Sequence, residues 1–150
     1  MSIFLNRYMQ AEIKFRSLVP LDYDHVVALW RRCDGVEVAE GDDRESFTRY
    51  LDRNPGLSYA ATSAGAIVGA NLCGHDGRRG LVYHLAVAPE YRGQGVGKQI
   101  LKMGLAGLRE RGIARVIILV SKDNHLGQDF WISQGFEHIT VALPLGMDLT

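Results

Sequence analysis

A strand, a glycine loop and a helix follow one another without a break over residues 83–98, YHLAVAPEYRGQGVGK. The apolar run to Val87 reads as a buried strand, Pro89 marks a short connection, and Arg92-Gly93-Gln94-Gly95-Val96-Gly97 leads straight into an amphipathic helix. Such a join has the architecture of an anion cradle, with a plain tight turn as the alternative. Glycine lets the backbone turn sharply and approach a ligand, while the first helical turn offers free N–H groups and the positive end of the helix dipole. Spacing narrows which anion it suits. A dinucleotide fingerprint G-x-G-x-x-G begun at Gly93 would have to end on Lys98, and a P-loop ending at Gly97-Lys98 would need Ser or Thr at Gln99 and glycine at Arg92. Both nucleotide motifs fail.

The chain has 150 residues, 47% hydrophobic and 23% charged, which suits one globular domain with a sizeable core. Lys plus Arg number 17 and Asp plus Glu number 17, so no net field draws the protein to nucleic acid. Cys33 and Cys73 stand in neither CxxC nor Cys/His ligand spacing and are expected to be reduced, buried thiols; no metal site is expected. Near the N-terminus the longest apolar run, Ile3-Phe4-Leu5, is broken by Asn6 and Arg7, giving neither a signal-peptide core nor a membrane span. A cytoplasmic location is therefore expected, with residues 1–12 as an extension and residues 13–150 as the domain.

Periodicity places the elements. Alternation over residues 13–18 predicts a first strand. Asp22 is positioned to cap a helix carrying Val26, Val27, Leu29 and Trp30, an acidic stretch follows over residues 34–45, and residues 46–53 form a second helix. Strands are predicted at 57–62, 66–73 and 79–87, the last two joined through Asp76-Gly77 as a two-residue hairpin turn. The helix after the glycine loop covers about residues 98–111 and stops at Gly112. Residues 116–120 read as a buried strand parallel to its predecessor, as a strand–helix–strand crossover requires. A helix at 126–134 and strands at 136–141 and 145–149 complete the chain.

That order, together with the fit of Arg92 to Gly97 to the pattern Arg/Gln-x-x-Gly-x-Gly/Ala, resembles the GNAT family of acetyl-CoA-dependent N-acetyltransferases over residues 13–150. Residues 29–34 (LWRRCD), 73–80 (CGHDGRRG) and Phe130-Trp131 resemble a bacterial subgroup of mostly unassigned substrate. The resemblance implies an α/β (α+β) fold: a central mixed, mostly antiparallel sheet with splayed parallel strands and flanking helices.

It also implies site residues. Acetyl-CoA would lie with its pyrophosphate on the loop from Arg92 and Gly93 through Gln94, Gly95, Val96, Gly97 and Lys98, and its pantetheine arm along Leu85, Ala86 and Val87. An outward N–H there would polarise the thioester carbonyl, a kind of contact worth roughly 2.7–4 kcal/mol in oxyanion sites. Asn124 matches a pantetheine-binding asparagine and is equally suited to cap a helix. Trp131 stands where most members carry a tyrosine acid, and an indole N–H is no proton donor. Phe130 and Trp131 would instead wall the channel or join the core. Tyr83 and His84 are the candidate bases, on opposite faces of a regular strand, with Tyr83 on the side of Leu85 and Val87; a buried, satisfied His84 is the alternative. Trp30 and Asp34 are the candidate acceptor contacts. The carboxylates after the first helix would suit a cationic amine, and Arg78 and Arg79 an anionic one. The function implied is acetyl transfer to a primary amine, of a small molecule or a peptide, by direct attack in a ternary complex. The alternative is a non-catalytic acyl-CoA-binding or sensor module. Family members often form homodimers.

Overall fold

The computed structural model describes residues 11–150, so the expected extension over residues 1–12 falls almost wholly outside the described residues. The chain forms two compact units, divided between Leu119 and Val120. The first carries β1 (Ile13–Ser17), a 3₁₀ turn (Pro20–Asp22), α1 (Tyr23–Arg31), α2 (Arg44–Arg53), β2 (Tyr59–Ser63), β3 (Ala66–His75), β4 (Gly80–Val87), a second 3₁₀ turn (Pro89–Tyr91), α3 (Val96–Glu110) and β5 (Val116–Ile117). Its five strands form one sheet in the order β1-β2-β3-β4-β5. All neighbours are antiparallel except β4 and β5, which run parallel across the α3 crossover.

Helices cover both faces of the sheet, and glycines on β3 set how closely they approach. A Cβ on Gly69 would lie 3.0 Å from Val96 and Ile100 of α3, while one on Gly74, on the opposite face by strand alternation, would lie 2.6 Å from Tyr50 of α2. Between α1, α2 and the sheet, Val26, Trp30 and Phe47 are buried almost completely. Both cysteines are free and buried, as expected, and burial pushes the Cys73 thiol up to about 12. No helix among the described residues is long and apolar enough to cross a membrane.

Several boundaries differ from the sequence expectation. The two-residue hairpin turn occurs one connection early: Ala64 and Gly65, both at positive φ, join the paired Ser63 and Ala66. The loop containing Asp76-Gly77 instead holds four residues between paired His75 and Gly80. There the Asp76 carboxylate accepts from the amides of Arg78 and Arg79, at 2.8 Å each, and only Gly77 takes positive φ. β5 is two residues long and half-buried, and Leu119 is exposed.

The second unit contains α4 (His125–Ser133). Neither strand expected over residues 136–149 forms: Pro144 removes a donor, the unit contains no other strand for pairing, and Val141, Leu143, Leu145, Met147 and Leu149 are exposed.

Asp22 is the residue before α1, but its side chain does not cap that helix. It accepts from the Val19 amide at 2.9 Å and from both terminal nitrogens of Arg16, at 2.7 and 2.9 Å, tying the end of β1 to the helix start. Burial pushes this carboxyl up, and Arg16 with the Val19 amide more than reverses that, leaving it below the usual carboxylate range. Its contribution is therefore complete above the unfolded value of about 3.9 and is lost as the pH falls through the lower folded value. Asp22→Asn is expected to cost about 1–2 kcal/mol at pH 7, with solvent around Arg16 limiting the effect. Urea titrations at successively lower pH should show the difference from the unsubstituted protein shrinking.

Candidate active site

β4 carries one residue more than β3 at its middle. Leu72 pairs with Tyr83 and Ala70 with Ala86, so His84 and Leu85 together face the single residue Asn71. This is a β-bulge, and His84 takes φ +49° within it. The bulge changes which side chains share a face. Tyr83, opposite Leu72, lies on the same side as Ala86, not with Val87, which pairs with Gly69 on the α3 side.

Tyr83 and His84 consequently meet the same layer of helices. The Tyr83 ring stands edge-on to Tyr50 of α2 at 6.2 Å, and the His84 ring lies 4.6 Å from Trp30 of α1. The expectation that the two candidate bases occupy opposite faces is corrected, because alternation stops at an inserted residue. Burial raises the Tyr83 phenol above its ordinary value. His84 is neither fully buried nor unpartnered: its side chain is 21% exposed, and Nε2 lies 2.9 Å from both carboxylate oxygens of Asp42.

Asp42 is the inward-facing member of the acidic stretch. It is 9% exposed, whereas Asp34, Glu37 and Glu40 are exposed. Asp43 caps α2, its side chain accepting from the Ser46 amide at 2.9 Å. Trp30, expected to touch the acceptor, is wholly buried; it braces His84 from below while Phe47 meets it edge-on at 6.4 Å. The Asp42–His84 contact was not foreseen. The residues are 42 positions apart and no local pattern links them.

The other edge of β4 opens beside the bulge. Pairing with β5 covers only Gly80 and Leu81, opposite Val116 and Ile117, and leaves the rest of that edge without a strand among the described residues. The splay expected here is present. The Ala88 amide donates to Val68 on β3 at 2.8 Å, so the peptide groups of Val87 turn the opposite way, to the open edge. The Val87 carbonyl accepts there from Arg92 Nε at 3.1 Å and from the Cys33 thiol at 3.5 Å.

The glycine loop begins at Arg92, five residues beyond Val87. Gly93 and Gly95 take φ +73° and +78°, and a Cβ built on either would meet no atom within 4 Å. Gly95 precedes α3 and supplies no capping side chain, so the first-turn amides of Val96, Gly97 and Lys98 have none from that position. The Val96 side chain is buried and anchors this turn, while Gln94 and Lys98 are exposed. Arg92 turns inward to Val87. An ion pair of 2.7 Å between Arg32 and Glu90 joins the end of α1 to the connection before the loop.

These features fit acetyl-CoA. The uncapped helix start and open glycine surface suit a pyrophosphate, and the unpaired edge suits an extended, amide-bearing arm.

In the second unit, Asn124 caps α4, its side-chain oxygen accepting from the Gly127 amide at 2.9 Å. Trp131 lies between Phe130 and Phe136, with ring centroids 5.3 and 5.0 Å away, and all three are half-buried.

Residues 23–136 match the model of the acetyltransferase (GNAT) family. Acetyltransferase SG1711 of Sodalis glossinidius (strain morsitans) is 35% identical over 128 residues, which cover 85% of this chain and 89% of that protein. Among solved structures, the PaiA N-acetyltransferase of Thermoplasma acidophilum in complex with coenzyme A superposes with a TM-score of 0.73 at 19% identity, covering 84% of this chain and 90% of that one. AAC(6')-Iy in complex with the bisubstrate analog CoA-S-monomethyl-acetylneamine gives a TM-score of 0.71 at 16% identity, covering 92% and 99%. The fold, the loop and the sequence relationship agree: the chain belongs to the acetyltransferase (GNAT) family.

Proposed function

We propose that this protein transfers the acetyl group of acetyl-CoA to a primary amine by direct attack in a ternary complex, with the amine entering on the α1–α2 face of β4. One observation carries the reading: the open edge of β4 leads, through a loop with two left-handed glycines, to an uncapped helix start. Acetyl-CoA, when bound, supplies an activated acyl carbon on a sulfur leaving group. The amides from Gln94 to Lys98 take the pyrophosphate, and Leu85, Ala86 and Val87 line the pantetheine arm. The outward Val87 N–H is a donor on the open edge, available to the arm or to the thioester oxygen.

On the acceptor side, His84 takes the proton. Tyr83 is the weaker candidate, because a phenol raised by burial stays protonated near neutrality. The exposed Asp34, Glu37 and Glu40 favour a cationic amine. Arg78 and Arg79 lie in the hairpin at the opposite end of β4 from the glycine loop, which weakens the case for an anionic acceptor. Asn124, Phe130 and Trp131 are assigned to the coenzyme by family resemblance alone. A thiol of pKa about 8.5 leaves without an acid, so a tryptophan at residue 131 is compatible with turnover. Location in the cytoplasm and a homodimeric assembly belong to the same reading.

Acetyl-CoA at about 100 times its dissociation constant should stabilise the fold by roughly 2.7 kcal/mol. Thiol release should then appear with at least one member of a panel of polyamines, aminoglycosides, amino acids and peptide N-termini. No thermal shift at millimolar acetyl-CoA would sink the reading. Gly95→Ala is expected to weaken acetyl-CoA binding about tenfold or more in calorimetry. Its Cβ occupies the open surface, and relief of roughly 1–2 kcal/mol of left-handed strain draws the loop out of its cradle conformation.

A further inference from the structure

We infer that Asp42 is a positioning residue for catalysis, holding the His84 imidazole so that Nε2 carries the hydrogen and Nδ1 presents its lone pair to the acceptor amine. This rests on the acetyltransferase reading above. It assigns the tautomer and a carboxylate partner for the base.

The geometry fixes both members. Asp42 is tied down by three contacts besides the histidine: its carboxylate accepts from the Ala39 amide at 2.9 Å, its own amide donates to the Ala39 carbonyl at 3.1 Å, and its carbonyl accepts from the Tyr23 hydroxyl at 2.7 Å. Tyr23 is in turn braced edge-on by Phe47 at 5.4 Å. His84 is set by the left-handed backbone of the bulge and by the Trp30 ring, tilted 52° to the imidazole with centroids 4.6 Å apart. A carboxylate only accepts, so the shared hydrogen belongs to Nε2 and the neutral ring keeps its acceptor at Nδ1. Nδ1 makes no hydrogen bond among the described residues, and it is not among the buried nitrogens and oxygens left without a partner.

The proton count is simple. The amine nitrogen forms a bond to the acetyl carbon as the C–S bond breaks and sulfur keeps the electron pair. One N–H proton must leave the nitrogen and one must reach the sulfur to give amide and thiol. His84 Nδ1 accepts the first, and the resulting imidazolium is stabilised by the Asp42 carboxylate until it returns the proton, through solvent, to the thiolate.

Asp42→Asn separates this role from a structural one. The asparagine oxygen can still accept from Ala39, while its NH₂ donates to Nε2 and drives the histidine hydrogen to Nδ1. Nitrogen-15 NMR of the His84 ring should show the Nε2–H tautomer in the unsubstituted protein and the Nδ1–H tautomer in Asp42→Asn. With whichever amine of the panel supports turnover, Asp42→Asn should lower kcat about 100-fold and leave the acetyl-CoA dissociation constant within about twofold. An Nδ1–H tautomer in the unsubstituted protein overturns the inference whether or not the variant folds. So does a full kcat in Asp42→Asn with the tautomer switched. Failure of the unsubstituted protein to bind acetyl-CoA would instead remove the parent reading.

Discussion

The residue inserted into β4 opposite Asn71 decides how the rest of the first unit is used. A strand without it would alternate through Tyr83, His84 and Leu85 and send neighbouring side chains to opposite faces. With it, the side chains of Tyr83 and His84 meet the α1–α2 layer together, while Val87 turns its peptide groups to an edge that β5 has already left. In the function proposed above, one local irregularity separates the two requirements of acyl transfer: backbone for the coenzyme on one side, a titratable side chain for the amine on the other.

The irregularity is unfavourable in itself. A non-glycine residue in the left-handed region costs on the order of 1–2 kcal/mol, although histidine tolerates it better than most. The surroundings hold it there. Trp30, wholly buried, packs its ring against the imidazole at a tilt, and Asp42 supplies a charge-assisted partner carried on a connection that is itself fastened to Tyr23 and Ala39. Asn71, also wholly buried, uses its side-chain oxygen to accept from the Tyr59 amide at 3.0 Å beside the bulge. Side chains from α1 and from the α1–α2 connection therefore fix one residue of β4, while the Asn71 side chain ties β3 to β2 beside it. That is the arrangement expected where strain serves a site.

Much of this was legible in the chain. Arg92 to Gly97 marked a sharp backbone turn before an amphipathic helix, matched by the positive φ of Gly93 and Gly95, and the crossover to residues 116–117 required a parallel pair. Less local features were hidden. The bulge leaves no mark in the run Tyr-His-Leu-Ala-Val, whose largely apolar character passes for a regular buried strand and so misplaced Tyr83. Asp42 was one carboxylate among several, and only the packing of a distant strand singles it out. Asp76-Gly77 carries a strong turn signal, yet the Asp76 side chain captured two amides and lengthened the loop, whereas Ala64-Gly65 formed the tighter turn without one. The apolar residues beyond 136 suggested strands by composition, but strands exist only with partners.

The central claim is that acetyl-CoA pairs with the outer edge of β4 that β5 leaves open and to which the bulge turns the Val87 peptide groups, and the Val87 amide reports on it directly. Hydrogen exchange should find this amide fast in the free protein and strongly slowed by saturating acetyl-CoA. The Ala88 amide, bonded to Val68, should be slow in both states. A Val87 amide already protected without acetyl-CoA, or one whose exchange saturating acetyl-CoA leaves unchanged, would contradict the account.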